Sequence, residues 1–314
     1  MVDQKHQWKA WIYLAPAIIL LLVFTVWPII NTVRMAFLND YSGLQAVGGR
    51  VFEFGIDNFK KVVDYKEFVT CLKNTCLLCV TTVPISTILA LLIAVCLNSI
   101  KPLQKFLQTI FFLPYVTNSI AIGMVFAAMF NIVGSFYGTE NEIVVTAGIV
   151  NNVIEFFGGT HINWINAGSS YWANIVVMIV YIVWNALPFK ILILLGGLQS
   201  INKQYYDAAR VDGTPRRRVF SKITVPLLSP MLVYVVITGF IGGFKEYSSI
   251  VGIFGENMGP PDAPRRLNTM VGFIYDALST NKQGRASAAA LILFGIILVV
   301  TLINLQVSKK RVHY

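Results

Sequence analysis

The chain has 314 residues, of which 56% are hydrophobic and 13% are charged, and its formal net charge at pH 7 is +10. Soluble domains usually carry about 25% charged residues, so this composition excludes an ordinary soluble protein and indicates one that is embedded in a bilayer. The positive charge predicts contact with an anionic membrane surface and does not require a nucleic-acid partner.

The first apolar run extends from Trp11 to Leu38. This run is far longer than the hydrophobic core of a signal peptide, which has about 7–15 residues, and no small-residue cleavage site follows it. We therefore expect the run to stay in the protein as its first membrane helix.

Six runs are long enough to cross the hydrocarbon core, which requires roughly 20 apolar residues of helix. They are continuously apolar, which excludes the alternating strands of a membrane barrel. Prolines inside the runs, Pro114 among them, predict kinks and not breaks. The sequence thus predicts one transmembrane domain, residues 1–314, with spans at about 11–37, 74–97, 108–133, 172–198, 224–250 and 286–308.

The four cysteines lie in or beside the second run. Cys76 and Cys79 lack the histidine or second cysteine pair that would complete a zinc site. We interpret all four as small, lipid-compatible side chains, and we predict no metal site.

Lysine and arginine are concentrated on one side of this six-helix map. With the N-terminus in the cytoplasm, the inner segments hold 13 basic and three acidic residues, whereas the outer segment 134–171 contains no Lys or Arg. The positive-inside rule then predicts that both termini are cytoplasmic.

The inner loop 199–223 is polar but contains a predicted short helix, Tyr206–Val211. Asp207 would lie near the start of this helix, where a carboxylate suits the positive end of the helix dipole. Gly213 can adopt the left-handed conformation that ends a helix, and Pro215 prevents its continuation. An ordinary positively charged inner loop is the alternative interpretation.

Polar side chains inside the spans are candidates for a substrate path, because burying a charge in hydrocarbon costs at least about 2.5–3.5 kcal/mol on insertion scales. In the fourth run Tyr181, Asn185 and Phe189 share one helix face. Aromatic rings beside amide and carboxylate groups suit a sugar. The predicted substrate-binding residues are Trp184, Asn185, Phe189, Lys245, Glu246 and Tyr247.

Two alternatives remain open for these residues. An aromatic stripe on a membrane helix more often serves packing than binding. The alternative for the fifth helix is an early end, which would place Lys245 and Glu246 in the outer water.

The inner loop resembles the EAA motif of the permease subunits of binding-protein-dependent ABC importers. Residues 207–209 (Asp-Ala-Ala) are followed after three residues by Gly213, after nine more by Ile223, and then by 225–226 (Val-Pro). Asp207 replaces the usual Glu and Val225 the usual Leu. Further motifs in the fourth run, such as 187–189 (Leu-Pro-Phe), are similar to the sugar-specific branch of maltose and multiple-sugar type.

This resemblance implies the type I ABC importer permease fold, which is all-α with six transmembrane helices and a cytoplasmic coupling helix. It implies an ATP-driven importer for a sugar or oligosaccharide in a bacterial cytoplasmic (inner) membrane. The implied partners are a second homologous permease in a heterodimer, two ATPase subunits and an extracellular solute-binding protein. The implied ATPase-contact residues are Asp207, Ala208, Ala209 and Gly213.

The sequence also predicts what the chain does not do. It has no Gly-Lys dipeptide, so it lacks a phosphate-binding GxxxxGK[ST] loop, and it has neither HExxH nor GxSxG. We predict no catalytic residue and no cofactor on this chain, with ATP and Mg bound by the partner ATPase. The alternatives are a permease for a non-sugar solute, such as a glycerol-phosphate ester, and a secondary transporter.

Overall fold

A computed structural model of the chain describes residues 7–100, 104–137 and 143–309. Helices dominate these residues. Their bounds are α1 (Gln7–Leu21), α2 (Trp27–Ala36), α3 (Gly43–Val47), α4 (Asp57–Val63), α5 (Lys66–Ser99), α6 (Gln104–Val116), α7 (Ser119–Phe130), α8 (Ile149–Phe156), α9 (Tyr171–Ser200), α10 (Lys203–Val211), α11 (Arg216–Val219), α12 (Val225–Phe244), α13 (Ser248–Phe254), α14 (Met270–Ser279) and α15 (Gln283–Lys309).

Two short strands, β1 (Ile132–Tyr137) and β2 (Ile143–Ala147), pair antiparallel in the connection between α7 and α8. A π-helical turn, Leu22–Val26, joins α1 to α2, and another, Phe220–Thr224, joins α11 to α12. The predicted all-α, polytopic fold class is confirmed, since the strands lie only in a connecting segment.

Within the described residues, five helical segments are long and apolar enough to cross a membrane, and each overlaps a predicted span. They are Trp11–Ala36, Lys66–Ser99, Tyr171–Ser200, Arg216–Phe244 and Gln283–Ser308. The remaining predicted span corresponds to the pair Phe106–Val116 and Ser119–Phe130, which meet at a bend of 98°. If the two helices of this pair cross the membrane as one unit, they form the sixth span.

The prediction of kinks without breaks is wrong for this third span. Asn118 has extended backbone, and its side chain accepts a hydrogen bond from the Ile120 amide at 2.8 Å, so it caps a new helix. The Thr117 hydroxyl donates to the carbonyls of Leu113 and Pro114 at 3.1 and 3.0 Å. Local side chains therefore satisfy the backbone groups that the break exposes.

The fifth helix also ends earlier than predicted. Helix α12 stops at Phe244, and after a three-residue turn α13 begins at Ser248. The predicted span continued to about residue 250, and the charged pair Lys245 and Glu246 was the signal for the early end that the sequence left open as an alternative.

The residues form two compact units, Met1–Val69 with Gly272–Gly295, and Thr70–Val271 with Ile296–Tyr314. In the first unit the Phe37 ring packs against Phe54 and Phe59 with centroids 5.5 and 5.1 Å away. The buried Asn58 amide donates to the carbonyls of Ala36 and Leu38, which fixes α4 beside the end of α2. The single transmembrane domain stays a prediction.

The second unit holds two apolar cores. One packs α5, α9 and α12 together through Ala90, Leu194 and Leu228. The other joins α5, α7, α9 and α13 around the fully buried Tyr181. Both cores rest on α5 and α9, so these two helices form the framework of this unit.

Helices α7 and α13 approach each other through two glycines. A Cβ atom on Gly123 would lie 2.7 Å from the Cα atom of Gly252, which is closer than real side chains come. Small residues of this kind let membrane helices pack backbone to backbone.

Gly123→Ala tests this close approach. Alanine normally favours a helix over glycine, but here the new methyl group must push α13 away, so we expect a loss of stability of about 1–3 kcal/mol. Thermal unfolding of the purified protein in detergent measures the change. Gly295→Ala in α15 is the matched control, because a Cβ there meets no other group within 4 Å in the part of the chain that the structure describes. Equal unfolding midpoints in the two variants would contradict the packing.

Candidate translocation cavity

A cavity of about 290 Å³ lies in the second unit between α5, α6, α9 and α12. Its lining combines hydroxyl, amide, charged and aromatic side chains in the middle of apolar helices. The polar and aromatic lining residues are Thr82, Ser86, Tyr115, Asn185, Phe189, Lys190, Thr238 and Glu246.

The aromatic part of the wall is a stacked pair. The rings of Tyr115 and Phe189 have centroids 5.7 Å apart and an interplanar angle of 20°. One turn earlier on α9, the Asn185 amide lies 3.4 Å from the hydroxyl oxygen of Ser119 and also lines the cavity. The wall therefore offers an apolar ring face beside a polar amide.

Glu246 enters the lining because α12 ends two residues before it. Its carboxylate oxygen accepts from the backbone amides of Tyr247 at 3.2 Å and Ser249 at 3.1 Å, at the start of α13. The hydroxyl of Thr269 donates to the Glu246 carbonyl at 2.8 Å. The turn is thus held by hydrogen bonds from both sides of the residue.

The structure separates the two adjacent charges of the fifth span. Lys245 caps the end of α12 and is exposed outside the cavity lining, whereas Glu246 is half-buried and lines it. The early helix end, one of the two alternatives for this segment, is observed, but it exposes only Lys245.

Three of the six predicted substrate residues, Asn185, Phe189 and Glu246, come together in the cavity. Trp184 instead packs against Phe126, with ring centroids 5.0 Å apart. Tyr247 packs against the apolar core around Tyr181. Tyr181 itself is buried, with its hydroxyl bonded to Ser119.

Lys190 is a lining residue that the sequence reasoning missed. It is only 4% exposed, and its ammonium group donates to the Ser86 hydroxyl at 2.7 Å, the Thr87 hydroxyl at 3.0 Å and the Val83 carbonyl at 3.3 Å. All three acceptors lie on α5, so the contact ties α9 to α5. A lysine in the middle of an apolar run is itself the signal that could have found it.

Helix α12 leaves room for this contact. A Cβ atom on Gly239 would lie 3.2 Å from the Lys190 Nζ atom and 3.1 Å from Val83. Four residues later, a Cβ atom on Gly243 would lie 2.8 Å from the Cys79 sulfur. The glycine face of α12 therefore packs against α5 at the point where Lys190 inserts.

Lys190→Glu tests the hydrogen-bonded contact between α5 and α9. A carboxylate would face the Val83 carbonyl oxygen and the oxygens of Ser86 and Thr87, whose hydroxyl protons are already donated to backbone carbonyls, so we expect a loss of stability of at least about 3 kcal/mol. The yield and thermal unfolding midpoint of the purified protein measure this loss. Lys245→Glu, on the exposed neighbour of the same cavity, should leave both near the wild-type values. Wild-type stability of Lys190→Glu would contradict the role given to the ammonium group.

The predicted coupling segment is a helix, but it starts earlier than expected. Asn202 caps α10, and its side chain accepts from the Gln204 amide at 2.9 Å. Asp207 therefore lies in the second turn, away from the first-turn position that the sequence predicted. Its carboxylate is 3.7 Å from Arg210.

The end of α10 follows the prediction. Gly213 has φ +65°, and the Thr214 amide donates to the Ala209 carbonyl at 2.9 Å across it. Apart from its chain neighbours, no atom of the described residues lies within 4 Å of the position of a Cβ at Gly213, so its surface side is open there.

The two alanines of the motif differ in exposure. Ala209 is 5% exposed and packs within its own chain, whereas Ala208 is exposed. Both alanines contribute to the lining of a depression of about 400 Å³, together with Tyr205, Asp212 and Ile223. In this conformation Asp207, Ala208 and Gly213 are accessible to another protein, and Ala209 is not.

The chain is similar to several known proteins. Residues 84–313 match the family described as binding-protein-dependent transport system inner membrane component. The chain is 29% identical to an arabinooligosaccharide transport system permease of Bacillus subtilis (95% of this chain, 88% of the relative). It is also 29% identical to a lactose transport system permease of Rhizobium radiobacter (94% and 91%) and 28% identical to a sulfoquinovosyl glycerol transport system permease of Agrobacterium fabrum (99% and 97%).

Solved structures of similar fold come from a bacterial ABC transporter that imports the acidic polysaccharide alginate. One chain of that transporter matches with a TM-score of 0.76 at 21% identity, covering 98% of this chain and 97% of its own length. A second structure, with a TM-score of 0.75 at 22% identity and coverage of 98% and 96%, contains that transporter in complex with its periplasmic protein bound to an alginate pentasaccharide. These likenesses show the fold.

Proposed function

Since the chain belongs to the family of binding-protein-dependent transport system inner membrane components, we propose that it forms the translocation path for a sugar or oligosaccharide in an ATP-driven importer. The chain is a transport subunit, a multi-pass protein of a bacterial membrane that works with a binding protein. We propose the class of solute, the contacts with the ATPase and the other subunits of the assembly.

The cavity between α5, α6, α9 and α12 is the observation that carries the proposal. A sugar ring has an apolar C–H face and a polar edge, and the stacked Tyr115 and Phe189 rings lie beside the Asn185 amide and the Glu246 carboxylate. The relatives named for arabinooligosaccharide, lactose and sulfoquinovosyl glycerol transport support the same class of solute.

We further infer an assembly with a second, homologous permease, two ATPase subunits and an external solute-binding protein. This chain contributes one coupling helix, α10, and two ATPases require two. ATP and Mg would bind to the ATPase chains, because this sequence lacks a phosphate-binding loop. The excess of Lys and Arg in the inner segments supports cytoplasmic termini.

Asn185→Ala and Phe189→Ala test the sugar site. Each removes one side chain of the wall without disturbing the Lys190 tie, so we expect normal assembly and basal ATP hydrolysis with uptake reduced about tenfold or more. Uptake of labelled arabinooligosaccharides, lactose and maltose by vesicles containing the complex supplies the measurement. Lys245→Ala is the control outside the lining. Full uptake in both wall variants would rule the cavity out as the sugar path.

Ala208→Arg and Gly213→Val test the coupling helix. The first places bulk and charge on the exposed face of α10, and the second forces a β-branched residue into a left-handed turn. We expect both to abolish the stimulation of ATP hydrolysis by loaded binding protein while the chain still inserts and folds. Ala208→Ser keeps the side chain small and should behave as wild type. The assignment fails if Ala208→Arg retains stimulated hydrolysis.

A further inference from the structure

The hydroxyl groups of the cavity point their protons away from it. The hydroxyl of Thr82 donates to the Leu78 carbonyl at 2.7 Å, that of Ser86 to the Thr82 carbonyl at 2.6 Å, and that of Thr238 to the Tyr234 carbonyl at 2.7 Å. Each bond returns to the preceding turn of the same helix, a common arrangement for Ser and Thr in membrane helices. These hydroxyls therefore present acceptor lone pairs to a solute.

Lys190 adds charge to the lining but no hydrogen-bond donor. An ammonium group has three protons, and the three acceptors on α5 use all of them. Glu246 is an acceptor as well, and its negative charge balances that of Lys190 across the same cavity. Because the formal charges of the lining cancel, its short-range hydrogen-bonding capacity decides which solute fits.

The lining offers more hydrogen-bond acceptors than donors to a solute. Its available donors are the Asn185 amide and the Tyr115 hydroxyl, against the oxygens of Thr82, Thr238 and Glu246. A neutral sugar supplies O–H donors to these oxygens. A uronate or sulfonate group supplies only acceptors, and it would also face the Glu246 carboxylate.

From this balance, and resting on the proposed function, we propose that the cavity selects neutral, hydroxyl-rich sugars and that Glu246 is the residue that excludes acidic ones. The relatives and the solved structures include transporters named for both neutral and acidic solutes. The fold is thus compatible with either class, and the side chains of the cavity make the choice.

Glu246→Gln tests this proposal most directly. The amide keeps an oxygen that accepts from Tyr247 and Ser249, so the turn at the start of α13 is retained. It removes the negative charge, adds an N–H donor and leaves the Lys190 charge without a counter-charge in the cavity. Lys245→Gln is the matched control, since it removes a charge from the neighbouring residue outside the lining.

The measurement is direct binding to the purified importer complex in lipid nanodiscs without solute-binding protein, by saturation-transfer NMR. The probes are methyl glucoside with methyl glucuronide, and methyl galactoside with methyl galacturonide, which differ only at C6. We expect wild type and Lys245→Gln to prefer the neutral member of each pair by about tenfold or more. Glu246→Gln should reduce that preference by a similar factor.

Equal binding of the two members by wild-type complex, or an unchanged preference in Glu246→Gln, would overturn the selectivity proposal while leaving a sugar site in place. Binding of none of the four probes by a complex whose ATPase still responds to loaded binding protein would overturn the assignment of the cavity as a sugar site, and the selectivity with it.

Discussion

The contact of the Lys190 ammonium group with α5 is the interaction on which the cavity depends. A charge at this depth is expensive in hydrocarbon, and three uncharged oxygens of α5 surround it. Gly239 of α12 provides the space beside it. Three helices therefore have fixed positions relative to one another, and the wall that carries Asn185 and Phe189 has a fixed distance from α5.

Interrupted helices place two further polar side chains, Glu246 in the lining and Ser119 beside it. The end of α12 at Phe244 turns Glu246 toward the cavity, and the break before α7 places Ser119 next to Asn185. Irregular backbone at membrane depth is tolerated where local groups satisfy it, as Asn118, Thr117 and Glu246 do here. The same interruptions that bend the helices thus bring polar side chains to the cavity.

Much of this architecture could be predicted from sequence, because roughly 20 apolar residues in a row have few structural solutions in a bilayer. The turn at Gly213 followed from its position after a short helix. The break at Asn118 was not predicted: the hydrogen bonds that satisfy it are local, but Asn and Thr occur throughout membrane helices, so their presence alone does not mark a cap. The start of α10 was missed, although asparagine is one of the residue types that cap helices and Asn202 lies just before the polar stretch.

Part of the candidate site could also be predicted from the sequence. Asn185 and Phe189 share a face by helical periodicity, so they could be paired from sequence. Trp184 lies on a neighbouring face and packs against Phe126, and the end of α12 at Phe244 sends Lys245 and Tyr247 away from the cavity. Lys190 could have been predicted from the sequence by looking for a partner for every charge inside an apolar run.

The central claim is that this cavity lies on the transport path, and side-specific labelling of Thr238→Cys tests it most directly. The variant is made in a background without Cys71, Cys76, Cys79 and Cys96 and reconstituted as the complete importer. A membrane-impermeant thiol reagent should reach the introduced sulfur from the inner side in the nucleotide-free state. It should reach the sulfur from the outer side when the ATPases are held closed on ATP. Labelling from one side only in both states, or from neither, would contradict the account.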